Sequence, residues 1–64
     1  MPWTEIRYPA SMKRLPPRVR AKAIEIANSL LEEGHDEGMA IRVAIAQAKA
    51  WAVRQRFVSR ARDR

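Results

Sequence analysis

Few residues in this sequence could carry catalysis or bind a metal. The chain has one histidine, His35, and no cysteine, so it cannot form a histidine cluster or a thiolate metal site. Ser11, Ser29 and Ser59 stand beside no recognisable base or oxyanion motif. A chain of 64 residues buries only about 60% of its unfolded surface, which leaves little room for a water-excluding cleft. We therefore expect no enzymatic activity and no cofactor.

Four carboxylates surround the histidine in sequence: Glu32, Glu33, Asp36 and Glu37. Carboxylates in a turn can hold Ca²⁺ weakly, but these do not follow the spacing of an EF-hand loop. Asp36 and Glu37 also suit the first turn of a helix. We interpret the acidic residues as a solvated turn and His35 as an exposed loop residue, and we predict no metal site.

Positive charge is the strongest functional signal in the sequence. Thirteen Lys and Arg residues against seven Asp and Glu residues give a net charge of +6 and a pI near 11.2. The cations fall mainly in residues 11–22 and 41–64, whereas residues 23–40 hold most of the carboxylates. Concentrated positive charge suits phosphate backbones, anionic lipid headgroups or acidic protein segments. Solubility alone is the competing explanation.

Proline and glycine divide the chain into an arm and three helical segments. Residues 1–8 read as an extended arm with aromatic anchors, and residues 10–14 as a short helical turn after a proline. Apolar spacing predicts a helix over about 17–33, ended by Gly34, and a second helix from the Asp36 region to about Phe57. The predicted fold class is all-α: an N-terminal aromatic arm with a short helical turn, then two longer antiparallel helices.

The second long helix has two apolar faces, so it needs two partners. One face comprises Met39, Val43, Ala46, Ala50, Val53 and Phe57. The other comprises Ile41, Ala44, Ile45, Ala48, Trp51 and Ala52. We expect the first long helix to cover one face, and the arm, with Trp3, Ile6, Tyr8, Met12 and Leu15, to cover the other. A second copy of the chain is the alternative partner.

Antiparallel packing would bring cations that are distant in sequence to one end of the helix pair, opposite the acidic turn. We call this predicted surface the basic pole. Its members are Lys13, Arg14, Arg18, Arg54, Arg56, Arg60, Arg62 and Arg64. The basic pole predicts docking to an acidic protein surface or, alternatively, weakly sequence-selective binding to nucleic acid.

The two tryptophans have two possible roles. Trp3 and Trp51 could stack on nucleic acid bases. Because the chain has only four aromatic residues, we favour core packing for both, since large side chains supply much of a small core.

Several short motifs resemble a known family. Met-Pro-Trp at residues 1–3, then Tyr-Pro-Ala-Ser-Met-Lys at 8–13 and Leu-Pro at 15–16, resemble the start of the ChaB-like small bacterial proteins. Ala27-Asn28 and the Ala48-x-x-Trp51 spacing also fit. The match is closer to the YdaT-like group of short proteins. The resemblance implies a compact, mainly helical domain, a regulatory role linked by name to cation transport, and no catalytic residues.

The remaining expectations concern organisation and location. We predict one small helical domain over residues 1–57 and a basic, disordered tail over residues 58–64. The N-terminus lacks a secretory signal pattern, and the longest apolar run is far too short to span a membrane. We therefore expect a cytoplasmic protein without a transmembrane segment, either a monomer or a weak homodimer.

Overall fold

The protein is a pair of helices preceded by an arm. The computed structural model describes the backbone of residues 3–62 and the side chains of residues 3–56. A short 3₁₀ turn, Ala10–Met12, precedes α1, Pro17–Glu32, and α2, Glu37–Arg62. Residues 3–62 contain no β-strand. Because residues 33–36 are the whole connection, α1 and α2 pack antiparallel, and the predicted all-α fold is confirmed.

Local signals set both ends of α1 and the start of α2 close to where the sequence predicted them. Pro17 occupies the first turn of α1, where a missing N–H costs nothing. Gly34 has φ of 94°, the left-handed conformation that ends a helix. The Oδ2 atom of Asp36 accepts a hydrogen bond from the Met39 N–H at 3.2 Å, which caps the start of α2.

α2 is longer than the sequence predicted. Its backbone continues to Arg62 rather than ending near Phe57. Residues 63–64 and the side chains beyond residue 56 lie outside the described part of the chain. The division into a domain and a tail at residue 58 therefore stays a prediction.

The core lies between α1, one face of α2 and the segment before α1. Its buried residues are Met12, Leu15, Ala23, Ile24, Ala27, Ala44 and Ala48, with Trp3, Tyr8, Val19, Ile26, Ile41 and Ile45 packed against them. The α2 contribution to the fully buried set is alanine alone, which lets the two helix backbones approach closely. Core packing of Trp3 is thus confirmed.

The arm is bent into a turn rather than extended. The Thr4 N–H donates to the Arg7 carbonyl at 2.7 Å, and the Thr4 hydroxyl oxygen accepts from the Arg7 N–H at 3.1 Å. This turn lifts Ile6 to its tip, where the side chain is 95% exposed. The expectation that Ile6 covers α2 is therefore wrong, because the turn's hydrogen bonds direct it away from the core.

Asn28 fastens the start of the arm to α1. It is the only buried polar residue among the described side chains, at 3% exposure. Its Oδ1 accepts from the Trp3 N–H at 3.3 Å, and its Nδ2 donates to the Trp3 carbonyl at 3.0 Å. One side-chain amide thus satisfies both backbone groups of Trp3, as a neighbouring strand would.

Arg20 fastens the segment that leads into α1. Its guanidinium donates to the carbonyls of Met12 at 3.2 Å, Lys13 at 3.1 Å and Leu15 at 2.9 Å. The same group lies 4.7 Å from the centre of the Tyr8 ring, within the range of a cation–π interaction. Because these contacts engage the Arg20 side chain within the fold, Arg20 is not a member of the basic pole.

The arm does not cover the apolar face of α2 that includes Met39 and Val53. The expectation that the arm covers the face left open by α1 is therefore wrong. Ala46 and Ala50 are exposed, Met39 is 49% exposed and Val53 is 54% exposed. Because Asn28 and Arg20 hold the arm along α1, the arm packs into the same core as α1 and leaves this face open.

Candidate functional site: a cationic cleft around Trp51

Trp51 lies on α2, beside the start of α1. It stands one turn beyond Ala48, which is fully buried, but Trp51 itself is only half-buried and outside the main core cluster. The core role of Trp51 therefore stays a prediction. The first turns of α1, which begins at Pro17, lie beside this ring.

A shallow cleft of about 290 Å³ opens beside this tryptophan. The start of α1 and the segment before it provide one wall, and α2 provides the other. The lining residues are Pro16, Arg18, Val19, Trp51, Ala52, Gln55 and Arg56. The cleft thus combines an apolar floor with a cation from each helix.

Two cations of α1 lie over the indole ring. The Arg18 Cζ atom is 5.7 Å from the ring centre and the Lys22 Nζ atom is 5.5 Å from it. The negative face of the indole attracts both, at about 0.5 to 1 kcal/mol each for exposed sites. Lys22 also forms an ion pair with Glu25 at 3.3 Å. Arg18 and Lys22 are one helical turn apart on α1, and both therefore lie over the Trp51 ring.

The structure brings part of the predicted basic pole together. Arg18 and Arg56 line the same cleft, and Arg54 lines a second depression on the other side of Trp51, together with Lys22. We call the set Arg18, Lys22, Arg54 and Arg56 the Trp51 cation cluster. Antiparallel packing is the reason these distant cations meet, as the sequence predicted.

The other predicted members of the pole are not placed in this cluster. Lys13 and Arg14 are exposed in the segment before α1, and neither lines the two depressions beside Trp51. The side chains of Arg60 and Arg62, and the whole of Arg64, lie outside the described residues. Their participation stays a prediction.

The sequence interpretation missed Lys22 as a site residue. Lys22 falls outside the apolar arc of α1, and its position over Trp51 depends on how the two helices are aligned along their lengths. The i, i+4 spacing from Arg18 was the available signal, because it places both cations on one side of α1.

The acidic turn at the opposite end offers no metal centre in the described part of the chain. The described side chains, those of residues 3–56, include no group of three His, Asp or Glu close enough to share an ion. His35 is exposed, as predicted, and its Nε2 lies 3.6 Å from the Glu33 carboxylate. Asp36 is engaged as the cap of α2.

Fold and cleft together define a small all-α protein with a cation-lined aromatic site. Over 52 residues, 81% of this chain, the sequence is 54% identical to the protein YdaT of Bacillus subtilis (strain 168), whose name carries no function. The chain spans about a third (35%) of that relative's length. No family model matches the chain, and no solved structure gives a significant match. The predicted resemblance to the YdaT-like group is thus supported, whereas the ChaB-like resemblance stays a prediction.

Among the described residues, neither α1 nor α2 combines the length and the apolar composition needed to cross a bilayer.

Proposed function

We propose that this chain is a small, non-enzymatic regulatory module of the cytoplasm that docks onto an acidic protein surface. The supporting observation is the Trp51 cation cluster, in which four cations from two helices surround one half-buried indole. The role is of the kind that the resemblance to ChaB-like proteins suggests.

The chemistry of the cleft suits a carboxylate beside an apolar side chain. Arg18 and Arg56 face the same opening from opposite walls, so a bound carboxylate can accept hydrogen bonds from one guanidinium or both. Trp51 and Val19 offer the adjoining apolar surface. Arg18 and Arg56 are exposed in the free chain. A partner docked over the cleft would bury their ion pairs in part, and such pairs give more binding energy than exposed surface pairs.

Lys13, Arg14, Arg60, Arg62 and Arg64 are proposed as the outer part of the same surface. Exposed charges at the rim of an interface mainly raise the association rate and set its salt dependence. Their removal should therefore affect the speed of docking more than the lifetime of the complex.

A nucleic-acid role is the alternative, and Trp51 is the observation that favours it. A half-buried indole flanked by cations can stack on a base while Arg18 and Arg56 contact phosphates. Such binding would discriminate poorly between sequences, because stacking is tolerant of base identity.

The test compares the variant Arg18→Glu with a matched control. Arg7→Glu makes the same change in net charge at an exposed position outside the cleft. The probes are a fluorescein-labelled peptide of alternating Glu and Leu, a 20-nucleotide single strand and a 20-base-pair duplex, measured by fluorescence anisotropy.

We expect the cleft variant to lose about tenfold or more in affinity for the peptide, since a charge reversal in a partly buried pair costs over 1.4 kcal/mol. The control should lose much less. Equal losses in both variants would show that only net charge matters and would overturn the proposal. Tighter binding of DNA than of the peptide, with a steep dependence on salt, would favour the nucleic-acid role over docking to an acidic protein. Absence of DNA binding at about 50 mM salt would exclude the nucleic-acid role.

A further inference from the structure

α2 presents an uncovered apolar seam on the side away from α1. Its described members are Met39, Val43, Ala46, Ala50 and Val53. Met39 is 49% and Val53 54% exposed, Ala46 and Ala50 are exposed, and Val43 is half-buried. Four of these five positions are exposed, so the seam is available to a partner.

The spacing of the seam is that of a helix that packs against another helix. Its members follow one another at intervals of four, three, four and three residues, which is the a and d pattern of a heptad repeat. In that register, Val43 and Ala50 are a positions, and Met39, Ala46 and Val53 are d positions. Ala46 and Ala50 lie at its centre, where small side chains allow a partner helix to approach closely.

Exposed cations flank the seam on both edges. Arg42, Lys49 and Arg56 occupy successive g positions, and Arg54 occupies an e position. The ion pairs in the described part of the chain are Lys22–Glu25 and His35–Glu33, so the four flanking cations carry uncompensated charge. The e and g positions are those that select the partner of a coiled coil.

This charge pattern disfavours a second copy of the chain as the occupant. In a parallel pair, Lys49 of one copy would face Arg54 of the other, because g positions oppose e positions. In an antiparallel pair g positions oppose each other, which would place Arg42, Lys49 and Arg56 against the same residues of the second copy. Like charges meet in both arrangements, and each such pair is destabilising.

We propose that the seam binds an amphipathic helix of another protein that carries Asp or Glu at its e and g positions. Apolar residues of that helix pack over Ala46 and Ala50, and its carboxylates pair with the flanking cations. This surface is distinct from the cleft that Arg18 and Val19 line. Arg54 and Arg56 border both surfaces, and Ala50 also lines the second depression beside Trp51. The inference therefore goes beyond the proposed docking at the cleft.

The experiment uses three synthetic 21-residue peptides and the full chain. The first has Leu at a and d and Glu at e and g; the second replaces each Glu by Lys; the third is a scrambled sequence of the first peptide's composition. Affinity is measured by fluorescence anisotropy, and helix formation by circular dichroism of the mixture. We expect the acidic heptad peptide to bind at least about tenfold more tightly than either of the others, since several flanking ion pairs add together.

Two variants separate the seam from the cleft and from general charge. Ala46→Gln/Ala50→Gln adds bulk to the seam without changing charge or helix propensity greatly, and should weaken the acidic peptide about tenfold. Ser29→Gln, at an exposed position on α1, is the matched control and should leave affinity unchanged. Arg18→Glu, which alters the cleft alone, should reduce binding far less than the seam variant.

Charge reversal at Arg42 and Lys49 gives the opposite selectivity. Arg42→Glu/Lys49→Glu should shift the preference of the chain towards the Lys peptide. Equal binding of the acidic and scrambled peptides, or full binding by Ala46→Gln/Ala50→Gln, would overturn the proposal. A concentration-dependent dimer in sedimentation that the Gln pair abolishes would assign the seam to a second copy instead.

Discussion

Two polar side chains, Asn28 and Arg20, attach the arm to α1 and so indirectly decide which face of α2 stays open. Each satisfies backbone groups that α1 does not itself pair. A buried polar group contributes little when bonded and is costly when its partner is removed. The stability of this small fold should therefore depend strongly on both residues.

Asn28→Asp tests the first attachment. The substitution keeps size and shape but replaces the Nδ2 donor by an oxygen that faces the Trp3 carbonyl, at a position only 3% exposed. We expect a loss of about 2 kcal/mol in the free energy of unfolding by urea. Ser29→Asn, on the exposed neighbour, should change it by less than about 0.5 kcal/mol. Unchanged stability of Asn28→Asp would contradict this account of the arm.

Arg20→Lys tests the second attachment, which holds the segment before α1. The guanidinium reaches three carbonyls and the face of Tyr8, whereas an ammonium on a flexible stem cannot reproduce that fork. We expect a loss of about 1 to 2 kcal/mol in unfolding free energy. Arg18→Lys is the matched control: it keeps a cation near Trp51 and should leave thermal stability nearly unchanged.

The helix connection depends on one backbone conformation. Gly34 has φ of 94°, and a Cβ atom placed there meets nothing within 4 Å, so the effect of a substitution is conformational and not steric. Gly34→Ala should destabilise the fold by about 1 kcal/mol. Gly34→Asn should cost less, because asparagine tolerates the left-handed region. Chemical denaturation of both variants measures which of them is the less stable. Equal stability of Gly34→Ala and the unchanged chain would show that the turn adopts another conformation.

The assignment of the two faces of α2 can be tested for the whole molecule with one pair of variants. Ala48 is fully buried between the helices, whereas Ala50 is exposed on the seam. Ala48→Leu should force α1 and α2 apart and lower stability by about 1 to 3 kcal/mol. Ala50→Leu should change stability by less than about 0.5 kcal/mol. A larger loss of stability from Ala50→Leu than from Ala48→Leu would show that the face assigned to the seam is the one that packs in the core.

Both ends of α1, the start of α2 and the fold class were predictable because their causes are local, whereas α2 continues beyond the predicted end near Phe57. Pro17, Gly34 and Asp36 act through the backbone within a few residues of themselves, so the sequence contains all the information they need. The charge blocks along the chain, joined to a short antiparallel connection, were likewise enough to predict that Arg18 and Arg56 would meet.

The choice between the two apolar faces of α2 was not predictable, because both have helical periodicity and only contacts distant in sequence distinguish them. The hydrogen bonds from Asn28 and Arg20 hold the arm on α1, and the alignment of α1 with α2 leaves Trp51 half-buried with Lys22 over its ring. Tertiary packing alone decided these features, since a side chain's burial depends on what the rest of the chain places against it.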